Sequence, residues 1–283
     1  MSATPATERL PRSAPEEKAL VSGRTRLFGI VGDPIEQVRS PEMFTAEFHR
    51  RGRDAVLLPI HVRPDDFDVC VPALLKLANL GGLAFTIPYK TRALQFADTL
   101  GGNARTVGAI NALARDVDGR WKADIFDGLG CVEAFRRRGI GFADRRVMLL
   151  GAGGAGSAIA IAIAFEHPRS LRIYDPDAGR ADALAKKVTR VDGEIVVETG
   201  PPMTEAIDML LNASPVGMLH DSRMPIGVER LSRELVVFDA IVTPERTPLL
   251  ALAEDCACTT IYGREMMHGQ IDAMVDFFGY AEA

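Results

Sequence analysis

The chain has 283 residues, of which 47% are hydrophobic and 25% are charged, a composition typical of a globular protein large enough for two domains. The formal net charge of −5, without a Lys/Arg-rich block, argues against a nucleic-acid partner. The four cysteines and five histidines lack zinc-ligand spacing, and no apolar run reaches the roughly 18 residues of a membrane span. We therefore expect a cytoplasmic protein with no metal and no membrane contact.

The first predicted segment is a disordered leader over residues 1–25, which are rich in Pro, Ser, Ala and charge and lack the apolar core of a signal peptide. Beyond it, short apolar runs alternate with longer amphipathic stretches. This alternation predicts a mostly parallel sheet covered by helices on both faces. The predicted strands are "RLFGIVG", "AVLLPIHV" and "GLAFTIP", and the predicted helices are "PEMFTAEFHRRG", "PDDFDVCVPALLKLANLG" and "YKTRALQFADTLG".

The segment "IVGDPIEQVRSPEMF" leads from the first strand into the first helix. Ser40-Pro41 is interpreted as the N-cap and first residue of that helix. A helix N-terminus with a serine hydroxyl is a possible anion site. Because Ser-Pro also opens many helices that bind nothing, the segment alone does not decide between the two.

A hairpin is predicted next, in "AINALARDVDGRWKADIF", with Asp118-Gly119 as a two-residue turn. It leads into the helix "DGLGCVEAFRRRG", which has Asp127 near its start. A second series of buried strands and helices then runs from "RRVMLLGAGGAGSAIAIAIAFE" to "TTIYG". This series predicts a second α/β domain from about residue 128, and the last helix, "MMHGQIDAMVDFFG", is expected to cross back onto the first domain.

The glycines of "VMLLGAGGAGSAIA" have the G-x-G-x-x-G spacing, at Gly151, Gly153 and Gly156. A predicted strand precedes them and a predicted helix follows, which is the context that a dinucleotide-binding turn requires. The first glycine permits the tight turn, the second lets the backbone approach a pyrophosphate, and the third allows the helix to pack on the strand. A ligand-free glycine turn is the alternative.

The strand "SLRIYD" ends at Asp175, where dinucleotide-binding domains carry an acid for the adenosine ribose. A carboxylate there would repel the 2′-phosphate of NADP, and Asp177 adds a second negative charge. We therefore expect NAD, with NADP less favoured. A simple Asp-Pro-Asp turn is the alternative.

Lys90 follows the strand "LAFTIP" and is predicted to lie in the first turn of a helix, where a cation is unfavourable. If it is also partly buried, its pKa should fall, which suits proton transfer. A carboxylate such as Asp127 would hold the lysine in position. From these residues alone, a surface lysine and a surface aspartate remain the alternative.

Eight short motifs occur in order along the chain, and together they resemble the shikimate dehydrogenase family, including quinate dehydrogenases, from about residue 26 onward. They are "GDPIEQVRSP", "FTIPYK", "GAINAL", "DG" at Asp127-Gly128, "GAGGAG", "NASPVGM", "TPLL" and "MMHGQ". The resemblance implies an α/β fold with a substrate domain over residues 26–127, a Rossmann domain over 128–258, and a C-terminal helix over 259–283 that returns to the first domain. The chain is interpreted as a divergent member, monomeric or homodimeric.

The same resemblance assigns roles to individual residues. It implies a catalytic pair of Lys90 and Asp127, and it implies substrate contacts from Ser40, Thr86, Asn111 and Gln270. The implied cofactor contacts are Gly151, Gly153, Gly154, Ala155, Gly156, Asp175, Asn212, Ser214 and Met218. The resemblance also implies that Ser40 binds the carboxylate of a small cyclic hydroxy acid.

Several residues depart from the family pattern at the substrate site. Val38 replaces the first serine of the carboxylate clamp, and Gln37 replaces the histidine before it. Ile125-Phe126 stands in place of Asn-Thr, and Val242 in place of a tyrosine. Losing one hydrogen bond to a charged ligand group costs roughly 1.5–3 kcal/mol, an approximately ten- to hundred-fold weakening. Unmodified shikimate is therefore expected to bind poorly.

Two functional hypotheses follow. The first is an NAD-dependent dehydrogenase that interconverts a ring secondary alcohol and a ketone on a shikimate- or quinate-like hydroxy acid, with Lys90 as general acid and base. A quinate-preferring enzyme lies within this class. The second is a cofactor-binding protein with little or no turnover of shikimate, suggested by the altered clamp. The retained polar set of Lys90, Asp127, Asn111 and Gln270 favours the first.

Overall fold

The computed structural model describes residues 21–281, which form an α/β fold with two six-stranded sheets. The predicted leader lies outside the described residues except for 21–25. The strands of the first sheet are β1 (Arg26–Gly32), β2 (Ala55–His61), β3 (Leu80–Phe85), β4 (Thr99–Leu100), β5 (Ala112–Arg115) and β6 (Trp121–Asp124). Their spatial order is β2-β1-β3-β5-β6-β4, with β1 parallel to β2 and β3.

The second sheet is parallel throughout. Its strands are β7 (Arg146–Leu150), β8 (Ser170–Tyr174), β9 (Val196–Thr199), β10 (Met209–Asn212), β11 (Val236–Asp239) and β12 (Thr259–Ile261). The spatial order is β12-β11-β10-β7-β8-β9. Read from β9, this is the 3-2-1-4-5-6 order of dinucleotide-binding sheets, and it reverses direction between β7 and β10, where such sheets bind ligands.

The helices cover the faces of both sheets. They are α1 (Ser40–Arg50), α2 (Phe67–Leu74), α3 (Gly102–Val107), α4 (Asp127–Arg137), α5 (Gly154–Ala164), α6 (Ala178–Val191), α7 (Pro248–Asp255) and α8 (Gly263–Val275). No helix in the described part of the chain is long and apolar enough to cross a membrane.

The predicted helix "YKTRALQFADTLG" is wrong. The segment contains a five-residue 3-10 helix, Arg92–Phe96, followed by the short strand β4. The cause is tertiary packing, because Tyr89 is buried at 1% exposure and stacks on Phe67 with ring centroids 4.1 Å apart. This packing, together with pairing of β4 and β6, outweighs the helical preference of the segment.

Two other predicted elements, a helix and a hairpin turn, have the wrong length. Helix α2 covers only eight residues of a predicted eighteen-residue helix, and Leu77 beyond its end is exposed. The hairpin of β5 and β6 forms as predicted, but the two strands are five residues apart, and the turn inside the Asp116–Arg120 pair has three residues rather than two. Asp116 N–H donates to Arg120 O at 2.8 Å, and Gly119, with φ +84°, takes the left-handed position that the three-residue turn requires.

The C-terminal segment packs on the first sheet. Ile271, Met274 and Val275 of α8, with Phe278 beyond it, share one apolar cluster with Phe28 of β1 and with Phe44 and Phe48 of α1. Arg51, whose side chain is 4% exposed, pairs with Asp272 at 3.0 Å and with Asp276 at 2.5 Å. Apolar burial and these ion pairs therefore hold α8 against α1.

Helix α4 lies between α5 and α8 at a close approach that glycines permit. A Cβ on Gly128 would lie 2.3 Å from Ala158 O, and one on Gly130 would lie 2.5 Å from Met266 O. On the facing helix, a Cβ on Gly269 would lie 2.6 Å from Gly130 O. These contacts fix the position of α4, and with it the position of Asp127 at its first turn.

We expect Gly130→Ala to destabilise the fold. The added Cβ would overlap a backbone oxygen that cannot move alone, and overpacking of this kind costs about 1–3 kcal/mol. Chemical unfolding monitored by circular dichroism measures the change. Gly141→Ala is the matched control, because a Cβ there would meet no heavy atom within 4 Å. Equal stability of the two variants would contradict the packing argument.

Candidate active site

A cleft of about 1030 Å³, open to solvent, lies where the strands of both sheets end. Its walls come from the segments that follow β1, β3, β7, β10 and β11, together with α4 and α8. The residues predicted from sequence that line it are Ser40, Thr86, Lys90, Asn111, Asp127, Ala155, Ser214, Met218 and Gln270. The structure thus brings together residues that are up to 230 positions apart in the sequence.

The ion pair of Lys90 and Asp127 lies in the wall of this cleft. Lys90 Nζ donates to Asp127 Oδ2 at 2.5 Å, and the two side chains are 15% and 6% exposed. Asp127 is the first residue of α4, where free N–H groups and the helix dipole stabilise a carboxylate. Lys90 precedes the 3-10 helix, so the predicted position in the first turn of an α-helix is wrong.

Lys90 also contacts the glycine loop of the second sheet. A Cβ on Gly154 would lie 3.0 Å from Lys90 Cβ, so the stem of the lysine passes directly over this glycine. The backbone oxygen of Lys90 accepts from Ile110 N–H at 2.8 Å. The lysine is therefore held from three sides, by Asp127, by Gly154 and through its own main chain.

Asn111 and Gln270 form a hydrogen-bonded amide pair. The N–H of Phe126 donates to Asn111 Oδ1 at 3.0 Å, which fixes the orientation of the Asn111 amide. Asn111 Nδ2 then donates to Gln270 Oε1 at 3.1 Å. The Nε2 group of Gln270 consequently remains as a donor, on a side chain that lines the cleft.

Ser40 and Thr86 supply hydroxyl groups to the cleft. Neither hydroxyl makes a hydrogen bond within residues 21–281, and Ser40 is 8% exposed. The interpretation of Ser40 as an N-cap is wrong, because α1 begins at Ser40 and the N-cap position is Arg39, whose side chain makes no capping bond. Freed from capping, the Ser40 hydroxyl is available to a ligand.

Some of the residues that depart from the family pattern line the cleft, and two of these are apolar. Val38 and Val242 line it, whereas Ile125 and Phe126 are directed into the cores of the molecule. Gln37 Nε2 donates to Pro34 O at 2.7 Å, and its backbone oxygen accepts from Thr243 Oγ1 at 2.9 Å. The second bond joins the loops after β1 and β11, and no sequence motif indicated it.

The glycine loop has the geometry that a pyrophosphate requires. Gly151 has φ +99°, and a Cβ on Gly156 would lie 2.0 Å from Gly151 O, so both positions need glycine. A Cβ on Gly153 would meet no heavy atom within 4 Å, so the backbone there faces open space. Helix α5 begins at Gly154 and directs its free N–H groups to this space. These residues fit a dinucleotide.

Asp175 lies directly after β8, beside the glycine loop. Its Oδ2 accepts from Ala152 N–H at 2.8 Å and its Oδ1 from Asp177 N–H at 3.0 Å. Asp177 caps α6 by accepting from Gly179 and Arg180 N–H groups. Two carboxylates therefore stand where an adenosine ribose would lie in a dinucleotide-binding sheet.

A buried polar network supports the ends of β10 and β11. Asn212 Nδ2 donates to Asp239 Oδ1 at 3.1 Å, and Asn212 Oδ1 accepts from Ser214 Oγ at 2.7 Å. Thr247 Oγ1 donates to Asp239 Oδ2 at 2.7 Å. Burial raises the pKa of Asp239 to about 6, although these hydrogen bonds oppose the rise. Sequence reasoning assigned no role to Asp239, or to Thr247 of the "TPLL" motif. Asp239 bonds to Thr247, 8 residues away, and to Asn212, 27 residues away.

Comparisons with known proteins agree with this geometry. The family model for the shikimate dehydrogenase substrate binding domain matches residues 30–113. A curated relative, the shikimate dehydrogenase (NADP(+)) of Methanobrevibacter smithii, is 30% identical over 257 residues, covering 88% of this chain and 89% of the relative.

Solved structures of similar fold include proteins with other substrates in their names. The 5-ketofructose reductase of Gluconobacter sp. strain CHM43 is 27% identical, with a TM-score of 0.76 and coverage of 91% of this chain and 94% of that chain. The quinate dehydrogenase of Corynebacterium glutamicum, solved with NAD, is 28% identical, with a TM-score of 0.78 and coverage of 90% and 93%.

We expect Asp239→Asn to change how stability depends on pH. The pKa of Asp239 is about 6 in the folded chain and about 3.9 in the unfolded chain. Between these values the folded chain binds a proton that the unfolded chain has lost, so the free energy of unfolding falls as pH rises and levels off above pH 6. From pH 4.5 to pH 7.5, the free energy of unfolding of the wild type should fall by about 2 kcal/mol relative to that of the variant.

Urea unfolding at the two pH values measures this difference. Asp208→Asn is the control, because Arg146 lowers the pKa of Asp208 to about 2, and that carboxyl is ionised in both states over the tested range. A constant difference between wild type and Asp239→Asn would show that Asp239 is ionised throughout.

Proposed function

This chain belongs to the shikimate dehydrogenase family, and we propose that it interconverts a ring secondary alcohol and a ketone, with Lys90 as the proton-transfer group and NAD as the preferred cofactor. The family membership makes it an oxidoreductase that uses a nicotinamide cofactor. The observation that carries the finer proposal is the 2.5 Å contact of Lys90 Nζ with Asp127 Oδ2 in the cleft beside the glycine loop.

Lys90 is the group placed to exchange a proton with the substrate hydroxyl. The nicotinamide cofactor, when bound, supplies the hydride acceptor for oxidation and the hydride for reduction. In oxidation Lys90 takes the hydroxyl proton, and in ketone reduction it returns a proton to the oxygen. Asp127 orients the amine through the contact of its Oδ2 with Lys90 Nζ. Because both side chains are largely buried, water competes little for these contacts.

The proposed polar contacts to the ring come from four side chains. Ser40 and Thr86 offer hydroxyl groups that have no partner within residues 21–281, and Gln270 offers its Nε2 group. Asn111 holds the Gln270 amide in that orientation through its own bond to Phe126 N–H. A polyhydroxylated ring of the shikimate or quinate type is the substrate that such a set of neutral donors and acceptors recognises.

The preference for NAD rests on charge at the end of β8. Asp175 and Asp177 lie where the 2′-phosphate of NADP would approach, and the nearby Arg180 contacts Asp177 at 3.4 Å. A phosphate dianion beside two carboxylates is disfavoured by Coulomb repulsion. The curated relative from M. smithii is named as NADP(+)-dependent, whereas the C. glutamicum quinate dehydrogenase was solved with NAD, so relatives of this chain use both cofactors.

We expect Lys90→Ala to abolish turnover while cofactor binding is retained. Positioned general acid-base catalysis contributes about 10²–10⁴-fold, so kcat should fall by at least about 100-fold. Nicotinamide absorbance measures turnover on a panel of cyclic hydroxy compounds, and quenching of intrinsic fluorescence measures NADH binding. Lys76→Ala, at an exposed position outside the cleft, is the control and should match wild type.

Two outcomes would count against this assignment. Equal loss of turnover and of NADH binding in Lys90→Ala would assign the lysine to the cofactor. Wild-type protein that binds NADH but turns over nothing in the panel, with NAD or with NADP, would favour the alternative of a cofactor-binding protein without dehydrogenase activity.

We expect Asp175→Asn to shift cofactor choice towards NADP. The neutral amide keeps an acceptor for Ala152 N–H, gives up the acceptor that Asp177 N–H uses, and removes one charge opposite the 2′-phosphate. The ratio of NADPH to NADH affinity should rise about tenfold, which corresponds to about 1.4 kcal/mol. Fluorescence titration with both cofactors measures the ratio, and Asp65→Asn, which removes an exposed charge elsewhere, is the control. If the wild type binds NADPH more tightly than NADH, the proposed preference for NAD is refuted.

A further inference from the structure

The loop after β1 contains a buried, unsatisfied acceptor on a side chain that lines the cleft. Within residues 21–281, Gln37 Oε1 is the buried side-chain polar atom that has no hydrogen-bond partner. The residue is 7% exposed and lines the cleft. Buried acceptors in folded proteins almost always have a donor, so an exception at a ligand site calls for one from the ligand.

The orientation of the Gln37 amide follows from its other contact. Nε2 donates to Pro34 O at 2.7 Å, and a carbonyl oxygen can only accept, so exchanging the two ends of the amide would bring two acceptors together. Thr243, which binds the Gln37 backbone oxygen, holds the loop from the opposite side of the cleft. The group available to a ligand is therefore an acceptor.

The neighbouring residues provide little for an anion. Val38 is apolar, and Ser40 supplies one hydroxyl. Arg39 Nε pairs with Glu42 Oε1 at 2.5 Å, and both side chains are more than half exposed, so this guanidinium is solvated and already has a carboxylate partner. Lys90, the other cation that lines the cleft within the described residues, is bound to Asp127. A carboxylate at this end would meet an acceptor, an apolar group and a single hydroxyl.

We propose that the substrate of this chain carries a hydroxyl or hydroxymethyl group, and no carboxylate, at the end of the ring that faces Gln37 and Val38. Such a group donates to Gln37 Oε1 and accepts from Ser40 Oγ, so both partners are satisfied. Because Oε1 is buried in this structure, a side chain beside it has to move as the substrate enters. The substrate class is an uncharged cyclic polyol and the corresponding ketone. This inference rests on the proposed function.

The test compares two ligands that differ only at this position. They are shikimate and its analogue in which the carboxylate is reduced to hydroxymethyl, each assayed by nicotinamide absorbance with NAD and with NADP. We expect kcat/KM to be at least about tenfold higher for the hydroxymethyl compound. Quinate, which has both a carboxylate and an added hydroxyl, should also be the poorer substrate.

Two variants assign the preference to the named residues. Gln37→Leu should lower kcat/KM for the hydroxymethyl compound by about tenfold without a matching loss for shikimate, because only the neutral ligand uses the acceptor. Val38→Ser should raise kcat/KM for shikimate relative to the neutral compound by a similar factor, about tenfold. The second variant keeps the test decisive if the first does not fold. Gln95→Leu, at an exposed glutamine, is the control.

Each outcome bears on one proposal or on both. Faster turnover of shikimate or of quinate than of the hydroxymethyl compound would overturn this inference and leave the proposed dehydrogenase intact. Turnover of none of the three, with either cofactor, would overturn both. A preference for the neutral compound that persists unchanged in both variants would also refute the assignment to Gln37 and Val38.

Discussion

The contact between Lys90 and Asp127 depends on both sheets and on helices α4, α5 and α8. Asp127 begins α4, whose position is fixed by glycine contacts with α5 on one side and α8 on the other. Helix α8 is in turn held on the first sheet by apolar burial and by the ion pairs of Arg51. Lys90 follows β3 and rests on the glycine loop of the second sheet. The ion pair therefore forms only when both sheets and the C-terminal helix are in place.

The polar groups of the cleft are oriented by main-chain contacts rather than by each other alone. Phe126 N–H fixes the orientation of the Asn111 amide, and Asn111 fixes the orientation of the Gln270 amide. Pro34 O fixes the orientation of the Gln37 amide in the same way. Side chains fixed by the backbone keep their direction when no ligand is bound, which lowers the entropic cost of binding one. Such preorganisation suits recognition of a ring whose hydroxyls differ only in position.

Much of this architecture could be predicted from the sequence, because its signals are local. The parallel strands are continuous apolar runs, and the glycine spacing and the acid at Asp175 follow a strand at fixed distances. The helix predicted over residues 89–101 was wrong because burial of Tyr89 against Phe67 is a tertiary effect. The Asp239 network could not be predicted, since it depends on the pairing of β10 with β11 in the folded sheet. The free oxygen of Gln37 could not be predicted either, since it depends on burial without a nearby donor.

The stem of Lys90 crossing Gly154 gives the glycine loop a second requirement. In a G-x-G-x-x-G turn the motif does not specify the residue after the second glycine. Here a methyl group at that position would press on Lys90 Cβ at 3.0 Å. The absence of a side chain at Gly154 thus leaves room for Lys90, the group that we propose for proton transfer. A loop transplanted from another dinucleotide-binding protein could hold its nucleotide correctly and still displace the lysine.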